Sequence, residues 1–372
     1  MKKKILFLIP NLKHGGAEKV LVNLANALSP EKYDVTVQTL FDEGLHKLRL
    51  AFHIRYKTFF PRGFRGNSYL FKLFPPAFWW KLIVREHYDI AVSYLEGPTS
   101  RILAGCTDPS TKRIAWLHIE LNTPKLAAQG FRNTEEAARA YADFDRVIAV
   151  SRDVRDCFLK NMPLSRPVDV LYNTNETGEI RRMAAFPTDH PRFVTGDVPT
   201  VCSVAKLMKT KGFDRLLEAH RRLLDEGLHH RIYILGIGEE QTALVEQICL
   251  LGLSDTFILL GYKDNPYPYV ARGDLYVCSS RREGFSTAVT EALVVGTPVV
   301  STDCSGAREL LGDRNEYGLV VENSTEGIYE GLKKLLSDKA LLAHYREQAK
   351  LRGSYFSKEH TVLAVEEMLD SL

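Results

Sequence analysis

Residues 280–291 link a predicted buried strand to a predicted helix through a loop that contains glycine. They read Ser-Arg-Arg-Glu-Gly-Phe-Ser-Thr-Ala-Val-Thr-Glu; the apolar segment Asp274–Ser279 precedes them, and the helix begins near Thr287. The free N–H groups at a helix start, together with the helix dipole, favour the binding of anions. This order of elements predicts an α/β sheet with a diphosphate site in the turn that follows the strand.

Two carboxylates belong to this stretch. Glu283 lies in the loop and Glu291 lies just over one turn into the helix. A carboxylate accepts hydrogen bonds from two hydroxyl groups at once, so it suits a ribose diol or a pair of sugar hydroxyls. The alternative is that both are solvated surface carboxylates, as most Glu residues are. The strand–loop–helix setting favours a nucleotide-sugar site.

A second strand–turn–helix junction carries three lysines, Lys206, Lys209 and Lys211, before a helix predicted over Phe213–Glu226. Ammonium groups that converge on a diphosphate neutralise it and stabilise the charge that grows as it leaves. The alternative is an exposed basic loop. Of the three, Lys209 has the weakest case for a role in binding.

Strand and helix patterns fall into two successive series. Strands of the first are predicted at Lys4–Ile9, Asp34–Leu40, Tyr88–Tyr94, Arg113–Leu117, Arg146–Ser151 and Val168–Leu171. Strands of the second are predicted at Thr200–Ala205, Arg231–Leu235, Thr256–Leu260, Asp274–Ser279, Pro298–Thr302 and Gly318–Val321. The segment Glu176–Val198 is predicted to be a linker. The alternation predicts two doubly wound parallel sheets, with ligands at the carboxyl ends of the strands.

Three features of the N-terminal half leave a functional role open. Gly15-Gly16 follows the first strand, where paired glycines allow close approach of a ligand or simply form a tight turn. His118 follows another strand; a lone His is more often structural, but this one could bind a sugar hydroxyl. Asp143 and Asp145 form a D-x-D pattern, which is short and common and is interpreted as structural.

Composition limits the class of protein. The chain has 372 residues, with 45% hydrophobic and 26% charged residues and a net charge of +3, which is typical of a globular protein with two domains and does not indicate nucleic-acid binding. The six cysteines have neither C-x-x-C nor zinc-site spacing, so we expect reduced thiols in a cytoplasmic protein. Without an apolar run of membrane-spanning length, attachment to a membrane would be peripheral.

The chain resembles a family 4 glycosyltransferase, a member of the retaining group that has the GT-B fold. The residues that carry the resemblance span nearly the whole chain: Gly15-Gly16-Ala17-Glu18, His118, Lys206, Lys211-Gly212-Phe213-Asp214, Leu235-Gly236-Ile237-Gly238, Glu283-Gly284-Phe285-Ser286 and Glu291–Val300. The resemblance implies two Rossmann-like doubly wound α/β domains facing across a cleft. Residues 1–173 would bind the acceptor and residues 174–356 the donor, and helix 357–372 would cross back onto the first domain.

The resemblance also implies roles for individual residues. Glu291 would bind the ribose, Glu283 would contact the donor sugar, Lys206 and Lys211 would hold the diphosphate, and His118 would approach the transferred sugar. The catalytic set is then His118, Glu283 and Lys211. Further donor-binding residues would be Gly15, Gly16, Gly236, Gly238, Gly261, Tyr262, Gly284, Phe285, Ser286 and Thr287.

The chain departs from the family pattern at two places. Lys206 stands where the family usually has Arg, which keeps the charge but loses bidentate geometry. Asn173-Thr-Asn-Glu176 stands where the family usually has Asn-Gly-(Ile/Val)-Asp. The second departure concerns the detail of the interdomain connection rather than the fold.

Residues 55–87 combine seven Lys and Arg residues and ten aromatic residues with one acidic residue. Basic side chains attract anionic lipid, and aromatic rings favour the membrane interface, so the segment suggests peripheral contact with the inner face of the cell membrane. The alternative is a pair of helices that packs in the core and has a solvated basic side.

Together with these residues, the resemblance implies a glycosyltransferase that moves a hexose or N-acetylhexosamine from a nucleotide sugar, with UDP as the carrier favoured on family grounds. The acceptor would be a hydroxyl of a glycan or lipid-linked molecule in bacterial surface polysaccharide synthesis. No metal or other cofactor is expected, because lysines and the helix start offset the charge of the leaving group. The alternatives are a GT-B nucleotide-sugar epimerase and a non-catalytic partner subunit with the same fold.

Overall fold

The computed structural model describes residues 2–13, 15–196 and 198–372. The chain divides into two compact units. Unit 1 consists of Met1–Asn175 and Lys358–Leu372, and unit 2 consists of Glu176–Ser357. The assignment of acceptor binding and donor binding to the two halves of the chain stays a prediction.

Unit 1 contains one parallel sheet. Its strands are β1 (Lys3–Ile9), β2 (Tyr33–Phe41), β3 (Arg55–Phe60), β4 (Ile90–Ser93), β5 (Lys112–Leu117), β6 (Arg146–Ala149) and β7 (Asp169–Val170). Within the described residues, their order across the sheet is β3-β2-β1-β4-β5-β6-β7. The order reverses beside β1, as in doubly wound sheets, where ligands bind at the carboxyl ends of the strands.

The helices of unit 1 are α1 (Gly16–Ala27), α2 (Asn67–Leu73), α3 (Pro76–Ile83), α4 (Pro98–Leu103), α5 (Pro124–Ala127), α6 (Thr134–Asp143) and α7 (Arg152–Asn161). The central strand β1 is buried over Ile5–Ile9, as expected for a strand covered on both faces. Val20, Leu21 and Leu24 of α1 are buried and follow the helical period that the sequence showed.

Arg101 of α4 joins three helices in unit 1. Its side chain is fully buried. Nε donates to Oε1 of Glu136 in α6 at 3.0 Å, and Nη1 donates to the carbonyl oxygens of Phe71 and Phe74 at the end of α2, the latter at 3.0 Å. The Arg101 guanidinium therefore satisfies backbone acceptors that the end of a helix leaves without partners.

Unit 2 has a parallel sheet of the same kind. Its strands are β8 (Thr200–Val204), β9 (Arg231–Leu235), β10 (Phe257–Gly261), β11 (Leu275–Cys278), β12 (Val299–Thr302) and β13 (Leu319–Val321). Over the described part of the chain their order is β10-β9-β8-β11-β12-β13. Two doubly wound parallel sheets in one chain confirm the predicted fold class.

The helices of unit 2 are α8 (Thr177–Ala184), α9 (Phe213–Asp225), α10 (Gln241–Leu250), α11 (Tyr267–Arg272), α12 (Thr287–Val294), α13 (Ala307–Leu311), α14 (Thr325–Ser337) and α15 (Lys339–Tyr355). The core forms where the buried face of α9, including Leu216 and Leu223, meets the buried β8 and β9 side chains Val201 and Ile234. This packing fixes the turn between β8 and α9, which carries the lysines.

The last helix, α16 (Lys358–Asp370), belongs to unit 1 and packs beside α1. Lys3 Nζ donates to the carbonyl oxygen of Leu369 at 2.9 Å. The Tyr33 hydroxyl donates to Oδ1 of Asp370 at 2.7 Å. These bonds attach the end of the chain to the amino ends of the first two strands.

The sequence interpretation was wrong or incomplete in two segments. Glu176–Val198 was interpreted as a linker, yet α8 lies within it, because its apolar side chain Ile180 packs against Val294 and Tyr267. Residues 55–87 contain the edge strand β3 as well as α2 and α3. The edge strand was missed because none of its side chains is buried, so it lacks the apolar alternation that indicates a strand.

No helix of the described chain has both the length and the apolar composition that crossing a bilayer requires.

Candidate functional site

The loops that follow β8 and β11 lie side by side in unit 2. The backbone N–H of Arg281 donates to the carbonyl oxygen of Thr210 at 2.7 Å, and the Ser279 hydroxyl donates to the carbonyl oxygen of Lys211 at 2.8 Å. Gly212 has a φ of 67°, and a Cβ there would lie 2.1 Å from the carbonyl oxygen of Ser279. Glycine at position 212 therefore allows the contact between the two loops.

Lys211 and Glu283 form an ion pair across these loops. Lys211 Nζ lies 2.6 Å from Oε1 of Glu283, and the side chains are 23% and 13% exposed. The Ser280 hydroxyl donates to the same oxygen at 2.6 Å. Burial alone would lower the pKa of Lys211, but the charge and hydrogen bond of Glu283 outweigh burial and raise it. The ammonium group is therefore charged at neutral pH and held in a fixed position.

The other two lysines of the predicted set are placed differently. Lys209 Nζ lies 3.1 Å from Oδ2 of Asp214. Arg281 also donates two hydrogen bonds to this carboxylate, at 2.7 and 2.8 Å. Lys206 lies two residues after the end of β8 and is exposed to solvent. Lys211 is thus the member of the lysine set that the structure brings to Glu283.

Glu291 occupies the buried side of α12 and is 8% exposed. The hydroxyl of Tyr267 donates to its Oε1 at 3.4 Å. The helix begins after Ser286, whose hydroxyl accepts the N–H of Val289 at 3.4 Å, and Thr287 is its first residue. The neighbouring Gly284 and Phe285 are buried. This arrangement fixes Glu291 on a helix whose first turn directly follows the Glu283 loop.

The predicted glycines after β9 bring backbone segments together. A Cβ on Gly236 would lie 1.9 Å from the carbonyl oxygen of Ala205, and one on Gly238 would lie 2.2 Å from the carbonyl oxygen of Leu207. The loop after β9 thus packs directly on the loop that carries Lys206. Gly261 ends β10 with a φ of 73°, and Tyr262, which follows it, is 45% exposed.

In unit 1 the paired glycines lie at the start of α1. Gly15 is the residue that precedes the helix, and Gly16 is its first residue. A Cβ on Gly15 would lie 1.9 Å from the carboxylate of Glu18. The structure therefore places both glycines at a helix start that follows a strand, as the sequence predicted, and their role in binding stays a prediction.

His118 follows β5 and is buried, with 7% of its surface exposed. Its ring lies against Tyr94, at 4.6 Å between centroids. Burial lowers the pKa of His118 to about 3, so its imidazole is neutral at physiological pH. Among the described residues, its Nε2 has no hydrogen-bond partner. Since buried polar atoms are nearly always satisfied, this nitrogen is suited to a ligand or to water.

Glu96, which sequence reasoning missed, lies beside His118. Its Oε2 accepts the backbone N–H of His118 at 2.9 Å, and its side chain is 8% exposed. Burial raises the pKa of Glu96 to about 7. A single Glu in a short Gly-Pro loop carries no sequence signal, because its burial arises only when β4 and β5 pair.

A cleft of about 1040 Å³ opens in unit 1 next to Glu96. Its walls come from α2, from the loop after β4 and from residues 123–134, which include α5. It lies near the carboxyl ends of β4 and β5, the edge of the sheet where ligands are expected.

The remaining acidic pattern has structural partners. Asp145 Oδ2 accepts the backbone N–H of Arg113 at 2.8 Å, and Asp143 Oδ2 lies 2.9 Å from Nη1 of the same arginine. The described parts of the chain contain no group of three or more His, Cys, Asp or Glu side chains arranged to hold a metal ion. The contacts of Asp143 and Asp145 agree with the structural interpretation of the D-x-D pattern.

Comparison with known proteins identifies the family through both halves of the chain. The profile for glycosyltransferase family 4 matches residues 14–177, and the profile for group 1 glycosyl transferases matches residues 187–352. Each profile covers close to one of the two units described above.

Individual relatives and structures agree with the profiles. The chain is 30% identical over 278 residues to an N-acetylgalactosaminyltransferase of Campylobacter jejuni named for a diphospho-undecaprenol-linked acceptor, covering 74% of this chain and 71% of the relative. It is 30% identical over 204 residues to the lipopolysaccharide core biosynthesis glycosyltransferase LpsE of Rhizobium meliloti. This match covers 52% of the present chain and 57% of LpsE.

Among solved structures, HepE of Anabaena in complex with UDP and glucose matches with a TM-score of 0.79, 21% identity and full coverage of both chains. At this identity the likeness establishes the fold, and it agrees with the predicted GT-B architecture. With the two profile matches and the Campylobacter relative, it follows that the chain belongs to glycosyltransferase family 4.

Proposed function

We propose that this glycosyltransferase transfers a sugar from a nucleoside diphosphate, UDP foremost, to a hydroxyl of a lipid-linked or glycan acceptor in bacterial surface polysaccharide synthesis. The observation that carries the proposal is the Lys211–Glu283 ion pair, which joins the loop before α9 to the loop before α12, with Glu291 buried in the first turns of α12. Cation, helix start and buried carboxylate are the groups that a nucleotide sugar requires.

Each group has a chemical task in this proposal. When the bond between the anomeric carbon and the diphosphate breaks, negative charge grows on the diphosphate. The Lys211 ammonium and the free N–H groups at the start of α12 stabilise that charge. Glu283 accepts hydrogen bonds from sugar hydroxyls, and Glu291 accepts those of the ribose diol. Because these groups stabilise the negative charge on the leaving diphosphate, the reaction is proposed to need no metal ion.

The comparisons support the choice of donor and acceptor. HepE is described in complex with UDP and glucose, and the Campylobacter relative is named for N-acetylgalactosamine transfer to a diphospho-undecaprenol-linked acceptor. LpsE is named for lipopolysaccharide core biosynthesis. We therefore infer transfer of a hexose or N-acetylhexosamine, with retention of anomeric configuration as in the family.

A lipid-linked acceptor agrees with one surface of unit 1. Four large apolar side chains of the α2–α3 segment are exposed: Tyr69, Leu73, Phe74 and Phe78. Exposed apolar groups that neighbour lysines suit the interface of an anionic membrane. Trp79 and Trp80 are only 4% and 7% exposed, so they belong to the core and cannot be the membrane contacts. Peripheral attachment at the inner face of the cell membrane is proposed on this surface.

The test is a thermal-shift screen of the intact protein against UDP, GDP, ADP and TDP sugars, followed by a transfer assay with the sugar that stabilises it. A ligand that binds the native state raises its melting temperature. We expect a UDP sugar to stabilise the wild type, and Glu291→Ala and Lys211→Ala to abolish or strongly reduce both stabilisation and transfer.

Other results of these assays would favour one of the two alternative functions, an epimerase or a non-catalytic partner subunit. An epimerase would convert the nucleotide sugar, or release free sugar, when no acceptor is present. A non-catalytic partner subunit would show little stabilisation by any nucleotide sugar. Near-normal turnover in both variants would contradict the assignment of the donor site.

A further inference from the structure

Two cysteines of unit 2 lie at the ends of neighbouring strands. Cys278 is the last residue of β11 and is buried, whereas Cys304 comes two residues after the end of β12 and is partly exposed. The two strands pair directly, with Cys278 opposite Ser301. The chain then turns, and the N–H of Cys304 donates to the carbonyl oxygen of Thr302 at 2.8 Å. This turn brings the two cysteine side chains together.

The two thiols interact with each other and with the proposed donor site. The Cys304 thiol donates a hydrogen bond to the sulfur of Cys278, which lowers the pKa of Cys278 and raises that of Cys304. The ammonium group of Lys211 lies near enough to be stabilised by the negative charge of either thiolate. A thiol with a lowered pKa, a second thiol in contact with it and a nearby cation are features of redox-active cysteines.

The turn after β12 is also joined to the loop that carries Glu283. The Thr302 hydroxyl donates to the carbonyl oxygen of Ser280 at 2.6 Å, and the Ser280 hydroxyl in turn donates to Glu283 at 2.6 Å. Further along the turn, a Cβ on Gly306 would lie 3.0 Å from the carbonyl oxygen of Gly284. The two loops therefore pack without free space, and a displacement of the turn is transmitted to Glu283.

We propose that Cys278 and Cys304 form a dithiol that hydrogen peroxide oxidises to a disulfide, and that this disulfide displaces the Glu283 loop and lowers the transfer activity. The inference rests on the proposed function, because it names a regulation of the proposed donor site. It assigns a role to a cysteine pair that neither binds the nucleotide sugar nor takes part in the transfer.

The oxidation takes place in two steps. The thiolate of one cysteine attacks an oxygen of hydrogen peroxide and becomes a sulfenic acid; the O–O bond breaks, and the departing hydroxide takes up the thiol proton as water. The second sulfur then attacks the sulfenic sulfur, the S–O bond breaks, and a second water leaves. A disulfide bond is much shorter than a contact between two thiols, so the turn after β12 is drawn towards the end of β11.

The first test detects the disulfide and its effect on the loop, and it needs no enzyme activity. The reduced full chain is treated with hydrogen peroxide, its remaining thiols are alkylated, and its peptides are mapped by mass spectrometry without a reductant. We expect peptides joined through Cys278 and Cys304 in the wild type and in the matched control Cys249→Ser, which removes the exposed thiol of α10.

Hydrogen exchange of residues 280–286 provides a second readout of the same samples. It should become faster in the oxidised wild type, because the displaced turn no longer holds Ser280, and it should stay unchanged in Cys304→Ser after the same treatment. Failure of the disulfide to form, or equal exchange in the oxidised and reduced wild type, overturns the proposal.

The second test measures transfer from the nucleotide sugar that stabilises the protein in the thermal-shift screen. Oxidation should lower the turnover of the wild type and of Cys249→Ser about ten-fold or more, because a small displacement of a positioning group has a large effect on rate. Dithiothreitol should restore it, since thiol–disulfide exchange reverses the oxidation. Cys304→Ser and Cys278→Ala should keep their turnover after peroxide treatment.

Two failures can be told apart. Equal loss of turnover in the two dithiol variants, or full turnover of a wild type that carries the disulfide, overturns the inference. A reduced wild type that transfers no sugar counts against the proposed function. In that case the peptide map and the exchange rates still decide whether the dithiol forms a disulfide and displaces the Glu283 loop.

Discussion

Nζ of Lys211 lies 2.6 Å from Oε1 of Glu283, and the Ser280 hydroxyl donates to the same oxygen. The pair joins two loops that follow neighbouring strands of one sheet. Because the ammonium is charged and positioned before any ligand arrives, the proposed binding of a diphosphate there would require little reorganisation.

Lys211→Ala should therefore weaken UDP binding at least about ten-fold, because the substitution removes a partly buried cation from the proposed diphosphate site. Lys209→Ala is the matched control: this lysine is two residues away, exposed and paired with Asp214. Calorimetric titration with UDP checks both. Equal losses in the two variants would mean that the loop attracts anions through its general charge and that Lys211 has no specific role.

The assignment of Glu291 to the ribose can be tested with the ligand as well as the protein. Wild type should bind UDP more tightly than 2′,3′-dideoxy-UDP, because only UDP has hydroxyls that donate to the carboxylate. In Glu291→Ala that preference should disappear, whereas Tyr267→Phe, which removes one weak bond of 3.4 Å to Glu291, should keep it. A preference that persists in Glu291→Ala would place the ribose elsewhere.

Arg101 should be important for the stability of unit 1. Its buried guanidinium pairs with Glu136 at 2.9 Å and holds the end of α2. Arg101→Ala leaves that carboxylate and two carbonyl groups without their partner, so we expect a loss of roughly 3–5 kcal/mol in the free energy of unfolding. Arg55→Ala, which breaks exposed ion pairs with Asp34 and Glu86, should cost under about 1 kcal/mol. Urea denaturation measures both, and similar losses would contradict the prediction.

Glu96 should make stability depend on pH. Its pKa rises from 4.5 to about 7 on folding, so ionisation disfavours the folded state and stability falls as the pH rises from about 4.5 through about 7. Glu96→Gln does not ionise. It should be more stable than wild type by roughly 3 kcal/mol near pH 8, and this advantage should vanish near pH 4.

Neighbouring groups do not change the sign of this difference. Because the pKa of His118 is lowered to about 3, the stability of the folded protein falls as the pH drops from about 6.5 towards 3. This loss occurs in the wild type and in Glu96→Gln alike. The phenol of Tyr141, another ionisable group near Glu96, stays neutral because burial raises its pKa. Thermal melts of both proteins across this pH range provide the measurement, and a pH-independent difference would mean that Glu96 does not titrate in the cleft.

The α2–α3 surface should bind anionic vesicles. Leu73→Ser combined with Phe78→Ser removes two exposed apolar side chains, so partitioning onto vesicles that contain phosphatidylglycerol should fall several-fold, roughly in line with the apolar area removed. Phe186→Ser changes an exposed apolar residue of unit 2 and serves as the control. Sedimentation of the intact protein with vesicles measures partitioning, and equal partitioning of all three proteins would exclude this surface.

The sequence predicted most of the sheets, because buried parallel strands such as Lys3–Ile9 are continuous apolar runs. It failed where the signal depends on the tertiary structure. The edge strand Arg55–Phe60 has no buried side chain and so no period to detect. Helix Thr177–Ala184 lies in a polar segment, and its few apolar contacts form only when Ile180 meets Val294.

The same limit applies to the site. Spacing placed Lys211 and Glu283 in turns after strands, and the structure joins them in an ion pair that spacing alone could not specify. Glu96 was missed because its burial is a property of the folded sheet. Trp79 and Trp80 belong to the ten aromatic residues of 55–87 that suggested membrane contact, but which face of a short helix is buried depends on the partner against which it packs.

The attachment of α16 to unit 1 has a consequence for synthesis on the ribosome. Lys3, Lys32 and Tyr33 find partners in Leu369, Glu366 and Asp370, which are synthesised long after them because more than 330 residues separate each pair in the sequence. Unit 2 is one continuous segment and can complete its fold while unit 1 still lacks its final helix. The amino ends of β1 and β2 must therefore stay uncovered in the nascent chain while the whole of unit 2 is being synthesised.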